Sequence, residues 1–162
     1  MELEFEQIYR DYMNDLYRYL YSLTHHHALA EDLLQETFVK AHVTLLGGSI
    51  REIKPWLFKV AYYTYIDNIR KERRIVHSDT IDEITHHTPE QIALEKDAFQ
   101  QLLALLETIK PIEKQVILLC DVHECTNEQA AEILHLKLNT LKSHLARGRR
   151  KLRERINKED DK

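Results

Sequence analysis

Residues 126–156 read TNEQAAEILHLKLNTLKSHLARGRRKLRERI. Thr126-Asn-Glu-Gln129 has the form of a capping box. In that device the Thr hydroxyl accepts from the N–H of the third helical residue, and the Gln side chain reaches back to the Thr N–H. Ala130, Ile133 and Leu134 then recur at the spacing of an inward helix face. His135-Leu136-Lys137-Leu138 makes a turn, and a second helix starts near Asn139 with Leu141, Leu145, Leu152 and Ile156 as its buried stripe. A short capped helix, a tight turn and a longer basic helix form the helix-turn-helix plan, whose second helix sets its N-terminal side chains against major-groove base edges. Asn139, Thr140, Lys142, Ser143, His144, Arg147 and Arg150 are therefore the candidate duplex-DNA contacts. Arg, Lys and Asn donate to base edges or to phosphates. The plainer reading, a solvated basic helix closing a bundle, does not explain why cap, turn and charge coincide.

Working outward, the charge is unevenly spread. Lys137–Arg155 holds eight Lys/Arg against one Glu, and Arg51–Arg74 holds seven against three acids. Between them Val76–Asp97 holds one Lys and six acids. The net charge of −4 hides this pattern. Two basic patches with an acidic separator suit two contacts with a polyanion.

The N-terminal half repeats helical spacing. Phe5, Ile8, Tyr9, Tyr12, Leu16, Tyr19, Leu20 and Leu23 form one stripe, followed by a break at Thr24–His27. Ala30, Leu33, Leu34, Thr37, Phe38 and Ala41 form the next, with Glu31, Asp32, Gln35, Glu36 and Lys40 on the opposite face. Gly47-Gly48-Ser49 ends that helix, and Pro55 suits the first turn of a third. The third runs through Trp56, Leu57, Val60, Ala61 and Ile69 to Arg70, Lys71, Arg73 and Arg74. Its stretch Trp56–Tyr65 carries five large aromatics, more than one helix of a small domain can turn inward. One or two of Tyr62, Tyr63 and Tyr65 are thus expected to be exposed. Aromatics beside cations stack on unpaired bases while the charges track phosphates. Lys54, Trp56, Lys59, Tyr62, Tyr63, Arg70, Arg73 and Arg74 are the candidate single-strand contacts.

The expected fold is all-α. Its domains are 1–75, a linker at 76–95, and a C-terminal helix-turn-helix domain at 96–158, entered through helical spacing at Leu102–Leu106 and a helix opened by Pro111. Only three Gly and three Pro in 162 residues leave few tight turns for a β fold. No apolar run approaches the roughly 18 residues of a membrane span. The acidic start Met1–Gln7 is no signal peptide, so a cytoplasmic protein is expected. Two cysteines are too few for a disulfide scaffold. Cys120, His123, Cys125 and His135 match no usual zinc spacing, and Cys120 continues the apolar run Val116–Leu119 as a buried thiol. His25-His26-His27 is expected to face solvent in its loop. No phosphate-binding Gly loop, nucleophile elbow or H-E-x-x-H stands in the chain, and neither cofactor nor metal nor enzymatic activity is expected.

Ala30-Glu-Asp-Leu-Leu-Gln-Glu-Thr-Phe38, Trp56-Leu57-Phe58, Asp67, Arg70-Lys71 and the C-terminal helix-turn-helix, in this order, resemble the extracytoplasmic-function sigma factors of bacteria, a compact group of the sigma-70 family. The resemblance covers nearly the whole chain. It implies an N-terminal bundle corresponding to sigma region 2 and a helix-turn-helix domain corresponding to sigma region 4. It implies docking of Glu31, Asp32, Gln35 and Glu36 on the clamp helices of core RNA polymerase. The loop Leu45–Lys54 and helix Pro55–Arg74 would capture the melted minus-ten element, the helix Asn139–Lys151 would read the minus-thirty-five element, and the acidic linker would lie in the polymerase active-site and RNA-exit path. An anti-sigma factor, membrane-bound in many cases, is the implied regulator. Two departures stand out: Tyr63 where the family usually has Asn, and Asn139-Thr-Leu-Lys-Ser-His144 where it prefers Gly-Thr-Val-Lys-Ser-Arg. The alternatives are a stand-alone helix-turn-helix regulator, binding duplex DNA as a dimer on a palindrome, an adaptor that binds polymerase but not DNA, and, most distantly, a histidine-rich metal hydrolase.

Overall fold

A computed structural model describes residues 2–75 and 96–161. The described residues are helices joined by short turns, with no strand among them. They fall into two units, treated separately below. The linker reading at 76–95 lies outside the described residues.

The first unit is three helices: α1 (Glu2–Thr24), α2 (His27–Leu46) and α3 (Ile53–Ile75). Their apolar stripes meet in one core of Leu16, Tyr19 and Leu20 from α1, Ala30, Leu33, Phe38 and Ala41 from α2, and Leu57, Phe58 and Ala61 from α3. Tyr19 meets Phe58 edge-on, centroids 5.2 Å apart. Burying each of the leucine and phenylalanine side chains among them stabilises by about 1.5–3 kcal/mol, so the core, not helix propensity, holds the unit together. The turn between α1 and α2 is built by histidines. His25 takes a left-handed φ of 53°, and His26 caps α2 by accepting the Leu29 N–H at 3.1 Å. His27 turns inward, bonded to the Tyr17 hydroxyl and stacked on Tyr21 at 4.6 Å. Only His25 is exposed. The expected solvent-facing triplet is thus corrected: stacking on two α1 tyrosines draws His27 in.

The second unit is α4 (Lys96–Leu106), α5 (Pro111–Ile117), a π-turn (Leu118–Val122), α6 (Asn127–Leu134) and α7 (Leu138–Asp160). Its core joins Leu103 and Leu106, Val116 to Leu119, Ala130, Ile133 and Leu134, and Leu141 and Leu145. The capping box forms as expected: Gln129 N donates to Thr126 Oγ1 at 3.1 Å and Thr126 N to Gln129 Oε1 at 2.9 Å. α6 ends when His135 adopts a left-handed φ of 54°. Leu136 N then bonds Ala131 O at 2.9 Å and His135 N bonds Glu132 O at 3.4 Å, the Schellman pattern that reverses a chain. Glu113 opens α5 by accepting the Lys110 N–H at 3.1 Å. Gly148 lets α7 approach α5 closely: a Cβ there would stand 2.7 Å from Ile117 Cδ1.

Two sequence expectations fail in this unit. Leu152 is only half-buried and Ile156 is 44% exposed, because α7 runs beyond the helices that cover it and every residue from 153 to 161 is exposed. Cys120 is half-buried while Cys125 is the buried thiol. The wider π-turn slips the helical phase, so a residue that continues the apolar run in sequence is rotated partly out of the core.

Candidate nucleic-acid interface

On α2, the buried stripe leaves the opposite face to solvent. Glu31, Asp32, Gln35 and Glu36 are all exposed there. Helical periodicity carries the same face on to Val39, Val43 and Leu46, exposed at 63%, 64% and 58%. One outward stripe is therefore acidic and amide-bearing over its first half and apolar over its second. The sequence pattern did not single out this apolar half.

Between α2 and α3 lies a groove of about 570 Å³ lined by Val39, Lys40, Val43 and Thr44 on one wall and Trp56, Lys59, Val60 and Tyr63 on the other. Its walls are aliphatic and aromatic, and its charges are two lysines. Of the single-strand candidates the structure brings Trp56, Lys59 and Tyr63 together here. By helical periodicity Arg70 and Arg74 continue the Tyr63 side of α3, with Arg70 about 10 Å further along at 1.5 Å per residue. Tyr62, although its ring meets Tyr63 edge-on at 5.8 Å, lines no part of this groove, and neither do Lys54 or Arg73. Arg70, Arg73 and Arg74 are exposed. Tyr62, Tyr63 and Tyr65 are all half-buried, so no tyrosine of this helix is as exposed as the aromatic count suggested; Phe58 alone of the five ring positions named is core and Trp56 is half-buried. Burial pushes the Tyr62 and Tyr65 phenols above their usual pKa, with Tyr62 and Glu72 adding to the shift at Tyr65, so both stay neutral donors.

In the second unit Asn139, Thr140, Lys142, Ser143, Arg147 and Arg150 project from the solvent side of α7, and His144 is half-buried beside them. Ser143 Oγ donates to Asn139 O at 3.0 Å, and Arg147 Nη2 meets His144 Nδ1 at 3.2 Å. Several cations of this helix are engaged within the unit. Arg149 grips Asp121 with two hydrogen bonds of 2.9 and 2.6 Å. Lys151 donates to both Glu113 oxygens at 2.8 and 3.1 Å. Arg155 donates to Thr108 O at 3.2 Å. Three of the eight cations read from sequence as a DNA patch thus hold α7 against α5 and its flanks. Glu113 is fully buried, which opposes its charge, yet the hydrogen bonds from Lys151 and the Lys110 N–H win and hold its pKa below the usual glutamate value. Among the described residues no cluster of His, Cys, Asp and Glu could hold a metal.

The description sigma-70 region 2 matches residues 8–75, and sigma-70 region 4 matches residues 99–152. The ECF RNA polymerase sigma factor SigM of Bacillus subtilis is 31% identical over 155 residues, spanning 94% of this chain and 95% of the relative. The chain belongs to the extracytoplasmic-function sigma factors. RNA polymerase sigma factor YlaC of Bacillus subtilis is 30% identical over 161 residues, 94% of this chain and 92% of the relative. The sigma factor RpoE of Bartonella quintana, solved in complex with the anti-sigma factor NepR, matches with a TM-score of 0.75 at 25% identity over 95% of this chain and 97% of its own. CnrH, solved with the cytosolic domain of CnrY, shares the fold at a TM-score of 0.70 and 19% identity, over 97% of this chain and 90% of its own. This sigma factor is an alternative specificity subunit, one that directs core RNA polymerase to promoters. No helix among the described residues is long and apolar enough to cross a membrane.

Proposed function

We propose that this sigma factor divides its work among three surfaces. Glu31, Asp32, Gln35 and Glu36 dock on a basic surface of core polymerase, where charge complementarity favours and orients encounter. The α2–α3 groove, with Trp56, Lys59 and Tyr63, takes an unpaired base of the minus-ten element, and Arg70, Arg73 and Arg74 follow the adjoining phosphates. Unstacking a base costs a few kcal/mol, offset by stacking and groove contacts. Lys54 and Tyr62 act at the margin of that surface. The solvent side of α7, from Asn139 to Arg150, reads the minus-thirty-five duplex.

The observation that carries this reading is that one three-helix unit presents an acidic outward face on α2 and an aromatic, lysine-bearing groove on its flank. The domains divide at the proposed linker 76–95, and two modest contacts joined by a linker gain by effective concentration. Phosphoryl transfer belongs to the polymerase, and this chain contributes no catalytic group. It works in the cytoplasm. An anti-sigma factor, membrane-anchored or free, holds it inactive; the solved complex of RpoE with the anti-sigma factor NepR supports that part. Run-off transcription with purified core polymerase on genomic templates tests the whole. Promoter-specific transcripts are expected; no core binding and no transcript across a broad template set would refute it.

A further inference from the structure

Lys40 belongs to both α2 surfaces and was absent from the sequence-derived contacts. It lies one turn after Glu36, on the wall of the α2–α3 groove. Its ammonium is 3.4 Å from Glu36 Oε1 and donates to Thr64 Oγ1 at 3.2 Å. Thr64 is buried and gives its own hydroxyl proton to Val60 O at 2.8 Å, which leaves its oxygen to accept. Lys40 is thus tethered between a residue of the acidic face and a buried threonine of α3. The tether to Glu36 is weak: both side chains are over 40% exposed, and exposed pairs at this spacing contribute little in water. A phosphate is a better acceptor for a lysine that has lost its carboxylate partner.

We infer that Lys40 is a DNA-contacting residue whose availability is modulated by Glu36. This rests on the division of surfaces proposed above. When a basic polymerase surface engages Glu36, the carboxylate is drawn off, its repulsion of DNA is neutralised, and the Lys40 ammonium, left with Thr64 alone, turns to the strand in the groove. The polymerase face and the base groove are coupled through one side chain on one helix turn. Because linkage is reciprocal, a strand that holds Lys40 also frees Glu36 for the polymerase.

The test uses the full chain and mixed-sequence fluorescent single-stranded DNA, read by anisotropy. Glu36→Gln is expected to tighten binding by roughly two- to fivefold, the scale set by an exposed ion pair. Lys40→Met, which keeps the apolar stem, is expected to weaken it by at least about threefold, a lost phosphate contact. In the Lys40→Met background Glu36→Gln should have no further effect, and Asp32→Asn, which removes equal charge without touching Lys40, should not reproduce the gain. Thermal midpoints confirm that each variant is folded. A Lys40→Met chain that binds as wild type does, or a Glu36→Gln gain that persists without Lys40, overturns the inference. Either result with wild-type run-off transcription intact leaves the three-surface reading standing. A wild-type chain that binds no single strand and yields no transcript removes both.

Discussion

Replacing Glu113 separates the structural cations of α7 from its DNA-facing ones. The carboxylate accepts the Lys110 N–H at 3.1 Å and Lys151 at 2.8 and 3.1 Å while fully buried. Glu113→Ala removes the side-chain acceptor of the Lys110 N–H at the start of α5, a loss of about 1 kcal/mol. It also removes a charge-assisted contact worth about 1 kcal/mol once discounted for the partial exposure of Lys151. The sum, about 2 kcal/mol, corresponds to a fall of about 8–16 °C in the melting temperature of a unit this size. Glu113→Gln keeps an acceptor for the cap and loses the charge, so about half that fall is expected. Scanning calorimetry of the full chain reads both. Trp56, the single tryptophan, lies in the first unit, so its fluorescence transition should not move. The pH dependence has a definite sign. Folding lowers the Glu113 pKa, so the folded state binds fewer protons than the unfolded one near that value. The contribution is complete above the ordinary glutamate pKa of about 4.3 and is lost as pH falls through the lower folded value. The wild-type advantage over Gln should therefore persist from neutrality to about pH 5 and vanish in acid. An unchanged second-unit melting temperature in both variants would refute the reasoning.

Arg149→Ala should lower second-unit stability by about 0.5–1 kcal/mol and leave duplex affinity nearly unchanged, whereas Arg150→Ala should weaken duplex binding, flatten its salt dependence and leave melting unchanged. Calorimetry paired with binding at several salt concentrations distinguishes the two, and interchanged outcomes would invert the assignment. Thr126→Ala should cost about 1 kcal/mol by uncapping α6, seen as faster amide exchange from Asn127 to Ala131. Burial, with Asp121 and Cys125 nearby, pushes the Cys120 thiol up to about 11. Alkylation of Cys120 at neutral pH should be about a hundredfold slower than for a free thiol, and fast labelling would contradict that environment.

What the sequence disclosed follows interaction range. Thr126 and Gln129 are three residues apart, and their cap is legible because its parts are local. The buried stripe of α2 is legible because helix periodicity alone sorts Leu33 and Phe38 from Asp32 and Glu36. Lys151 and Glu113 are 38 residues apart, and nothing in either neighbourhood announces that one will neutralise the other. The same holds for Arg149 with Asp121, so counting cations along α7 overstated the charge available to DNA. Periodicity places Lys40 on the outward face of α2, but its groove needs the crossing of two helices. Cys120 and Ile156 misled for a different reason: a period tells which residues share a face, not where the phase slips or the covering helices end.

The double use of Glu113 has a consequence for how the second unit is acquired during folding. A side-chain cap is ordinarily a local nucleation signal, available as soon as one turn forms. Here the capping carboxylate enters a buried site and is matched there by Lys151 from a helix that arrives much later in the chain. Until it does, the carboxylate lacks the ammonium that donates to both its oxygens. The start of α5 is therefore tied to a long-range closure, and α5 and α7 should gain protection together in a pulse-labelling experiment instead of one after the other. A residue that looks like punctuation for one helix then acts as a timing device for the whole unit.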